Sequence, residues 1–551
     1  MLAQDNTMKL RLRTALFVCG SLSFCAICLT LSRLPTLHDR KSSFLPNSDT
    51  RQIGVYDDNG EFPHIFTFRK RLNKSNYSSD NISPEMAKRA LEIKSLANDT
   101  NEDMKYQSDS VNQEVVHETH QVHKMLNSQE SHEKNLEFNF SSSTVDLMLN
   151  KLQTSNGLKF NFEKTRLVSY TNFLKLQTHR FRRKGMGLPI YENYNGGPQL
   201  THWERFHKGI HKYGLYDGLD PAVDGILDDI ATQQIVDVEQ KEGGTQLKLI
   251  MTFQDEGQAL FKPMRGPRDQ ETLPDHFYFV DFERHNSEIA AFHLDRILAF
   301  HRVPPTVGRH INLTGEIKRL GDTNLRKTFF LSPANNVCFH GSCSYYCDTS
   351  HAVCGRPVLL EASLAAFLPP ERIAPRKTWR NPWKRSYSKH RKAYWESFSD
   401  LCERVQEKEP YHSGRRLLDV IDMHVFDFLT GNMDRHHYET FADFGNETFL
   451  LHLDNGRGFG RSDHDEISIL SPLFQCCMIR HSTFIKLVKL YLGPEHLSSL
   501  MRQSMSRDPV TPVLVEKHLN ALDRRVIRVL KTIAECMESV DYTDVIVDDF
   551  F

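Results

Sequence analysis

The spacing of apolar positions divides the chain into three stretches. Thr14 to Ser32 is uncharged and largely apolar, preceded by Lys9, Arg11 and Arg13 and closed by Arg33 and Pro35. Such a run is just long enough to cross a bilayer as a helix. Its basic flank puts residues 1–13 in the cytosol and everything after residue 33 in the lumen. A cleaved signal peptide and a buried core helix are the rival readings of the same run. From 33 to 150, Asn, Ser, Asp, Glu and Lys dominate and sustained apolar periods are scarce. That composition buries too little surface to offset the entropy of ordering, so a disordered lumenal stem or propeptide is expected there.

Beyond residue 151 the periodicity becomes regular. "GGTQLKLIMTF" is a Gly turn leading into a β-type apolar run, and "GQALFKPM" reads as a second strand. "NSEIAAFHLDRILAF" predicts an amphipathic helix capped by Asn286 or Ser287. "RRLLDVIDMHVFDFLTGN" predicts another, stopped at Gly431. "ETFLLHLDNGRGFG" predicts an apolar strand running into Asp454, and "PVLVEKHLNALDRRVIRVLKTIAECM" a closing helix. A strand-rich half containing one helix, followed by a helical half, is a two-lobed α+β order.

Composition narrows the function classes. Lys+Arg 69 against Asp+Glu 70 leaves a net charge of -1, so no basic bias points to nucleic acid. Sequons at Asn73, Asn76, Asn81, Asn98, Asn139, Asn312 and Asn446 suit a glycosylated lumenal protein. Of 11 Cys, three lie in the apolar run, and Cys338, Cys343, Cys347, Cys354, Cys402, Cys476, Cys477 and Cys536 remain. An even set in an oxidising compartment reads as four disulfides, with a zinc site in "CFHGSCSYYCDTSHAVC" as the rival. "RKRL", ending at Leu72, is a candidate cleavage signal or a solvated charge cluster. The basic, aromatic-interleaved run 376–392 suits either an acidic ligand or a mobile solvated loop.

The chemistry concentrates in "TGNMDRHHYE", residues 430–439. Asp434 follows a helix and a Gly turn, Glu439 comes five residues later, and Asp454 stands before Asn455-Gly456. Phosphoryl transfer needs a carboxylate at the attacking hydroxyl and oxygen ligands for the ions that bridge nucleotide phosphates. Protein kinases space a catalytic Asp, an Asn and a metal-binding Asp in this order. Here Glu439 replaces the Asn, which makes the metal site more anionic and compatible with Mn. Upstream, Lys262 on its strand can meet nucleotide phosphates, accompanied by Glu283 or Glu288; the residues alone do not choose between these two. Adjacent His436 and His437 suit zinc poorly, and His436 reads as a structural partner of the loop.

"FHLDRILAFHRVPPTVGR", "SPANNVCFHGSCSYYC", "SLAAFLP", "KTWRNPWKRSY", "FDFLTGNMDRHHYETF" and "HLDNGRGFG" together resemble the secretory-pathway kinases named family with sequence similarity 20, nearest to the casein kinase branch, member C. The likeness covers roughly residues 195–551. It implies an atypical kinase-like fold, with an N-lobe and its extension over 151–364 and a C-lobe over 365–551. It also implies transfer from ATP, with Mn ahead of Mg, to Ser in Ser-x-Glu motifs of secreted acidic proteins. By the same resemblance Asp434 is catalytic. Gln246, Lys262, Glu439, Asp454 and the backbone of Ala365, Ala366, Phe367 and Leu368 contact nucleotide, and Glu283 and Asp454 hold metal. A pseudokinase relative carries Gln at the Glu283 position, so this chain is expected to be active. Further implications are disulfides Cys338–Cys354, Cys343–Cys347, Cys402–Cys476 and Cys477–Cys536, a type II Golgi anchor with release by stem cleavage, and a homodimer or a heterodimer with a pseudokinase. Xylose phosphorylation on a proteoglycan linker and a non-catalytic activator role are the alternatives.

Overall fold

The computed structural model describes residues 141–154, 187–192, 200–218 and 220–547. The apolar run 14–32, "RKRL" and the sequons from Asn73 to Asn139 lie outside the described residues. Among the described residues no helix is long and apolar enough to cross a membrane.

Helix α1 (Ser143–Thr154) begins inside the stretch read as stem, so the packed part of the chain starts before residue 151. Val145, Met148, Leu149 and Leu152 form a buried stripe at helical spacing, short enough to be missed in polar surroundings. Tyr491 fixes the helix start by donating to Asp146 Oδ1 at 2.7 Å and accepting from Ser142 N at 2.9 Å. Helices α2 (His202–Gly209) and α3 (Pro221–Thr232) follow. Thr201 and Glu204 form a reciprocal capping box on α2, and Asp220 with Pro221 starts α3.

Strands β1 (Ile235–Gln240), β2 (Leu249–Phe253) and β3 (Gln258–Pro263) come next. Helix α4 (His285–Leu298) leads to β4 (Thr306–Asn312), and β5 (Leu359–Ala366) completes an antiparallel sheet in the order β1-β2-β3-β5-β4. The cap of α4 differs from expectation. Arg284 is its N-cap, and Asn286 and Ser287 sit in the first turn, bonding instead to Val513 O and Asn455 O. Every residue of α4 is buried, because it packs on β4 and β5 on one side and on the helical half on the other.

A two-stranded ribbon pairs β6 (Arg376–Arg380) with β7 (His437–Phe441), and between them α5 (Arg416–Thr430) forms the buried axis of the second half. Gly431, at φ 73°, ends α5 in the left-handed conformation that glycine adopts without strain. The expected strand before Asp454 is reduced to a single bridge, Glu439 to Leu451, because its N–H groups donate singly to separate segments, at Lys212, Glu439 and Arg302. Helices α6 (His481–Leu492), α7 (Leu497–Met505) and α8 (Glu516–Ser539) complete the fold. All four disulfides form, Cys338–Cys354, Cys343–Cys347, Cys402–Cys476 and Cys477–Cys536, which removes the zinc reading of the cysteine cluster. Asn312 is half-buried, its Oδ1 capping the next turn, whereas Asn446 is exposed.

The two halves are joined by buried charge. Asp419 of α5 meets Arg302 at 2.7 Å, Arg415 at 2.7 Å and Arg480 at 2.7 Å, while Asp422 meets Arg480 at 2.8 Å. Burial alone would raise the Asp419 carboxyl, but the three guanidinium groups outweigh it and hold it well below the usual range. Asp419→Ala strands these cations in the interior and is expected to cost roughly 3–5 kcal/mol in a urea unfolding titration; a loss under about 1 kcal/mol would remove the network from the account.

Buried histidines give the fold an acid limit. Burial lowers His293 to about 3, His424 to about 4 and His518 to about 4, so each is neutral when folded. Once unfolded they titrate near their ordinary value of about 6.5, so their stabilisation is present above that pH and is lost as pH falls toward the folded values. Asp295 opposes them: burial raises it to about 7, and its contribution grows as pH falls below that value. From pH 7.5 to 5.5 the three histidines lose about 4 kcal/mol together and Asp295 returns about 2. A net loss of stability from pH 7.5 to 5.5 is expected in denaturant titrations, the histidines outnumbering Asp295; equal stability would contradict it.

Candidate active site

Buried Lys262 projects from β3 into a carboxylate cluster in which Glu288 is buried, Glu283 half-buried and Asp454 exposed. Its Nζ lies 2.5 Å from Glu288 Oε1, 2.9 Å from Asp454 Oδ1 and 3.1 Å from Glu283 Oε2. Both acids that the sequence offered are therefore partners. Glu288 is in the first turn of α4 and Glu283 lies in the segment before it. Gln246 fixes that segment: its Oε1 accepts from Glu283 N at 3.1 Å and its Nε2 donates to Asp281 O at 3.3 Å. Lys248, which the sequence reading passed over, reaches Asp454 Oδ1 at 2.7 Å and Glu283 Oε1 at 3.7 Å.

Two cations among three carboxylates set the electrostatics. Lys248 and Lys262 hold the Asp454 carboxyl well below its usual range against a smaller opposing effect of burial. Burial pushes Glu283 up, but the same two ammonium groups outweigh it and leave it low. Lys262 is disfavoured as a cation by burial, yet Asp454, Glu283 and Glu288 together raise it. Oxygens of Glu283, Glu288 and Asp454 lie within 4.8 Å of one another. An all-carboxylate donor set fits a hard divalent ion such as Mn or Mg rather than zinc.

Asp454 has φ 55°, an uncommon left-handed position that Asp tolerates better than most residues. The turn is clamped from both sides: Ser287 Oγ donates to Asn455 O at 2.6 Å and Arg284 N to Gly456 O at 2.6 Å. A Cβ on Gly456 would stand 2.9 Å from Glu283 Cβ, so glycine permits the close approach.

Asp434 sits beyond the end of α5, its N–H donating to Asn432 Oδ1 at 3.0 Å. His436 Nδ1 lies 2.6 Å from Asp434 Oδ1 and Arg457 Nη1 lies 3.0 Å from Oδ2, so both carboxylate oxygens are oriented. His436, as expected, is a structural partner: Tyr387 stacks on it at 3.9 Å and Tyr278 Oη lies 3.0 Å from its Nε2. Buried Arg435 is the link between loops. It contacts Asp427 with two bonds of 2.8 Å, Asn455 Oδ1 at 2.7 Å and the carbonyl of Leu453. Arg435 and Arg457 were missed because the charge pattern of "DRHH" and "NGRG" does not say which loop each arginine reaches.

A cavity of about 330 Å³ has Glu283, Asp434, Glu439 and Asp454 in its wall, with Lys248 and Arg457. Glu439 is also bound to Arg376 at 2.9 Å, and burial raises its carboxyl against that pairing. Gln246 and Lys262 are buried and are not part of this wall. Ala365 to Leu368 do not line it either. Ala366 N donates to Pro305 O, Phe367 N donates to Gln258 O at 2.8 Å, and Phe367 O contacts His207 Nε2 at 3.0 Å, so these groups are engaged within the fold.

The buried Lys–Glu pair, the clamped acidic turn and the separate oriented Asp reproduce the parts that phosphoryl transfer requires. Residues 201–545 match the family described as Golgi casein kinase, C-terminal, Fam20. The chain belongs to this Fam20 family. It is 59% identical over 348 residues to the human extracellular serine/threonine protein kinase FAM20C, covering 63% of this chain and 60% of that protein. The human pseudokinase FAM20A is 50% identical over 364 residues, covering 63% of this chain and 67% of that one. Among solved structures, the Golgi casein kinase with Mn/ADP bound is 42% identical with a TM-score of 0.66, covering 76% of this chain and 96% of that one. The match to the human kinase thus spans about three fifths of that relative.

Proposed function

We propose that this Fam20 member is an active secretory-pathway protein kinase. It transfers the γ-phosphoryl group of ATP to Ser in Ser-x-Glu motifs of secreted acidic proteins. The observation that carries this reading is the convergence of Lys262, Glu283, Glu288 and Asp454 at one side of a cavity whose wall also holds Asp434. Asp434, oriented by His436 and Arg457, accepts the proton of the acceptor hydroxyl. Lys262, kept charged by its carboxylate partners, meets the nucleotide phosphates, and Glu288 holds it there. Gln246 positions Glu283, and Glu439 completes the acidic wall. Glu283 and Asp454 would hold the divalent ion, Mn ahead of Mg, with Glu288 near enough to join them. Held there, a divalent ion would supply positive charge to offset that of the nucleotide phosphates. The solved structure of the Golgi casein kinase with Mn/ADP bound, 42% identical, supports the assignment.

The finer expectations belong to the same proposal: a type II Golgi anchor over 14–32, release through the stem, glycosylation at the seven sequons, adenine contacts by Ala365 to Leu368, and pairing with itself or a pseudokinase. The family also includes glycosaminoglycan xylosylkinases, so the acceptor needs a direct test. The purified protein is given γ-labelled ATP and Mn with a Ser-x-Glu peptide and a xylosylated linker sugar side by side. Label on the peptide is the expected result. Label on the sugar alone would move the protein to proteoglycan assembly, and label on neither would revive the activator reading.

A further inference from the structure

A larger cavity, of about 510 Å³, shares Asp434 and Arg457 with the first. Most charges in its wall are already matched. Arg385 stands 3.8 Å from Glu396 and 3.9 Å from Glu466, Arg525 lies 3.0 Å from Asp465, and Asp281 lies 2.8 Å from Arg284. Three cations are different. Lys389, Arg391 and Lys392 are exposed, and among the described residues no side-chain hydrogen bond or ion pair engages them. The wall offers them one exposed carboxylate, Asp275.

A basic run on a loop is ordinarily a solvated face. This one is held. Buried Trp383 donates to Gln475 Oε1 at 2.8 Å, and buried Trp395 donates to Lys384 O at 2.8 Å. Between them, Tyr278 Oη donates to Ser386 O at 2.8 Å, and Tyr387 stacks on His436, which itself contacts Asp434 at 2.6 Å. The three cations therefore ride on a segment fastened to the loop that carries Asp434.

We infer that this cavity is the acceptor groove and that Lys389, Arg391 and Lys392 are its specificity-determining residues, reading a carboxylate two residues from the phosphorylated hydroxyl. The inference rests on the kinase reading above. In an extended peptide, residues two apart share a face and stand about 7 Å from each other. A hydroxyl at Asp434 thus carries its neighbouring anion along the wall that these cations line. Three charges on one short segment suit a single fixed anion better than a repeating polyanion, which requires an extended basic stripe.

The test is fluorescence anisotropy with labelled Ser-x-Glu and Ser-x-Gln peptides and a heparin oligosaccharide. The proteins are the wild type and the triple variant Lys389→Glu, Arg391→Glu, Lys392→Glu. The wild type is expected to bind the Glu peptide at least about tenfold more tightly than the Gln peptide, as charge-assisted contacts imply. The variant should lose that preference while retaining Mn-ADP binding. Equal binding of the two peptides by the wild type, or a preference surviving in the variant, would overturn the inference. So would loss of heparin binding in the variant without any change in the peptide preference. Binding needs no turnover, so a wild type that transfers no phosphate would count against the kinase reading alone.

Discussion

Asp434→Asn is expected to lower phosphoryl transfer by at least about 10³-fold while leaving nucleotide binding intact, the scale set by loss of a positioned general base. The substitution keeps the shape of the side chain and leaves the backbone N–H bond to Asn432 Oδ1 in place, but removes the charge that His436 and Arg457 orient. Asp434 is linked to the metal pole only indirectly, through Arg435 and the Asn455 turn. The Mn-ADP-induced rise in melting temperature should therefore match that of the wild type. A variant that turned over normally would remove Asp434 from the catalytic role. One that lost both binding and transfer would make it a structural residue.

Asp454→Ala is expected to abolish both. Asp454 is the carboxylate shared by Lys248 and Lys262, and its removal leaves two ammonium groups facing Glu283 and Glu288 without their common partner. It also deletes one of three oxygens grouped for a divalent ion. Transfer should fall by at least about 10³-fold, and Mn-ADP should no longer raise the melting temperature. The side-chain bonds of Asp454 go to Lys248 and Lys262, not to the disulfides or the buried Arg–Asp network, so the variant should still be secreted and folded. Normal turnover would refute the placement of the metal pole. Misfolding would assign Asp454 to stability instead.

How legible this was in the chain depended on whether the information was local. The stop of α5 at Gly431 and the spacing of Asp434, Glu439 and Asp454 are one-dimensional features, and the three carboxylates line one cavity. Lys262 was readable as a strand lysine because a short apolar run, Ala259 to Phe261, follows the Gly257 turn and leads into it. The choice between Glu283 and Glu288 was not readable, since both approach one ammonium group from positions five residues apart. Lys248 sits in an unremarkable Gly-containing stretch just before β2, and only the fold brings it to Asp454. Arg435 and Arg457 act across loops twenty or more residues apart, which no local pattern encodes. Helix α1 was hidden because a single four-residue stripe does not shift the composition of a polar segment, although it suffices once α8 supplies the opposing surface. The disulfide pairing came from resemblance, not from spacing, and all four pairs are those it implied.

In the proposed function the carboxylates divide the work: Asp454 with Glu283 and Glu288 at the nucleotide, Asp434 at the acceptor. The most direct measurement is a single-turnover reaction with protein in excess over γ-labelled ATP, in Mn, with a Ser-x-Glu peptide. Wild-type protein and Asp434→Asn would be run side by side at saturating binding. Labelled phosphoserine is expected from the wild type and essentially none from the variant, although both retain the nucleotide. Equal labelling by the two proteins, or no labelling by a wild type that binds Mn-ATP, would contradict that division of work.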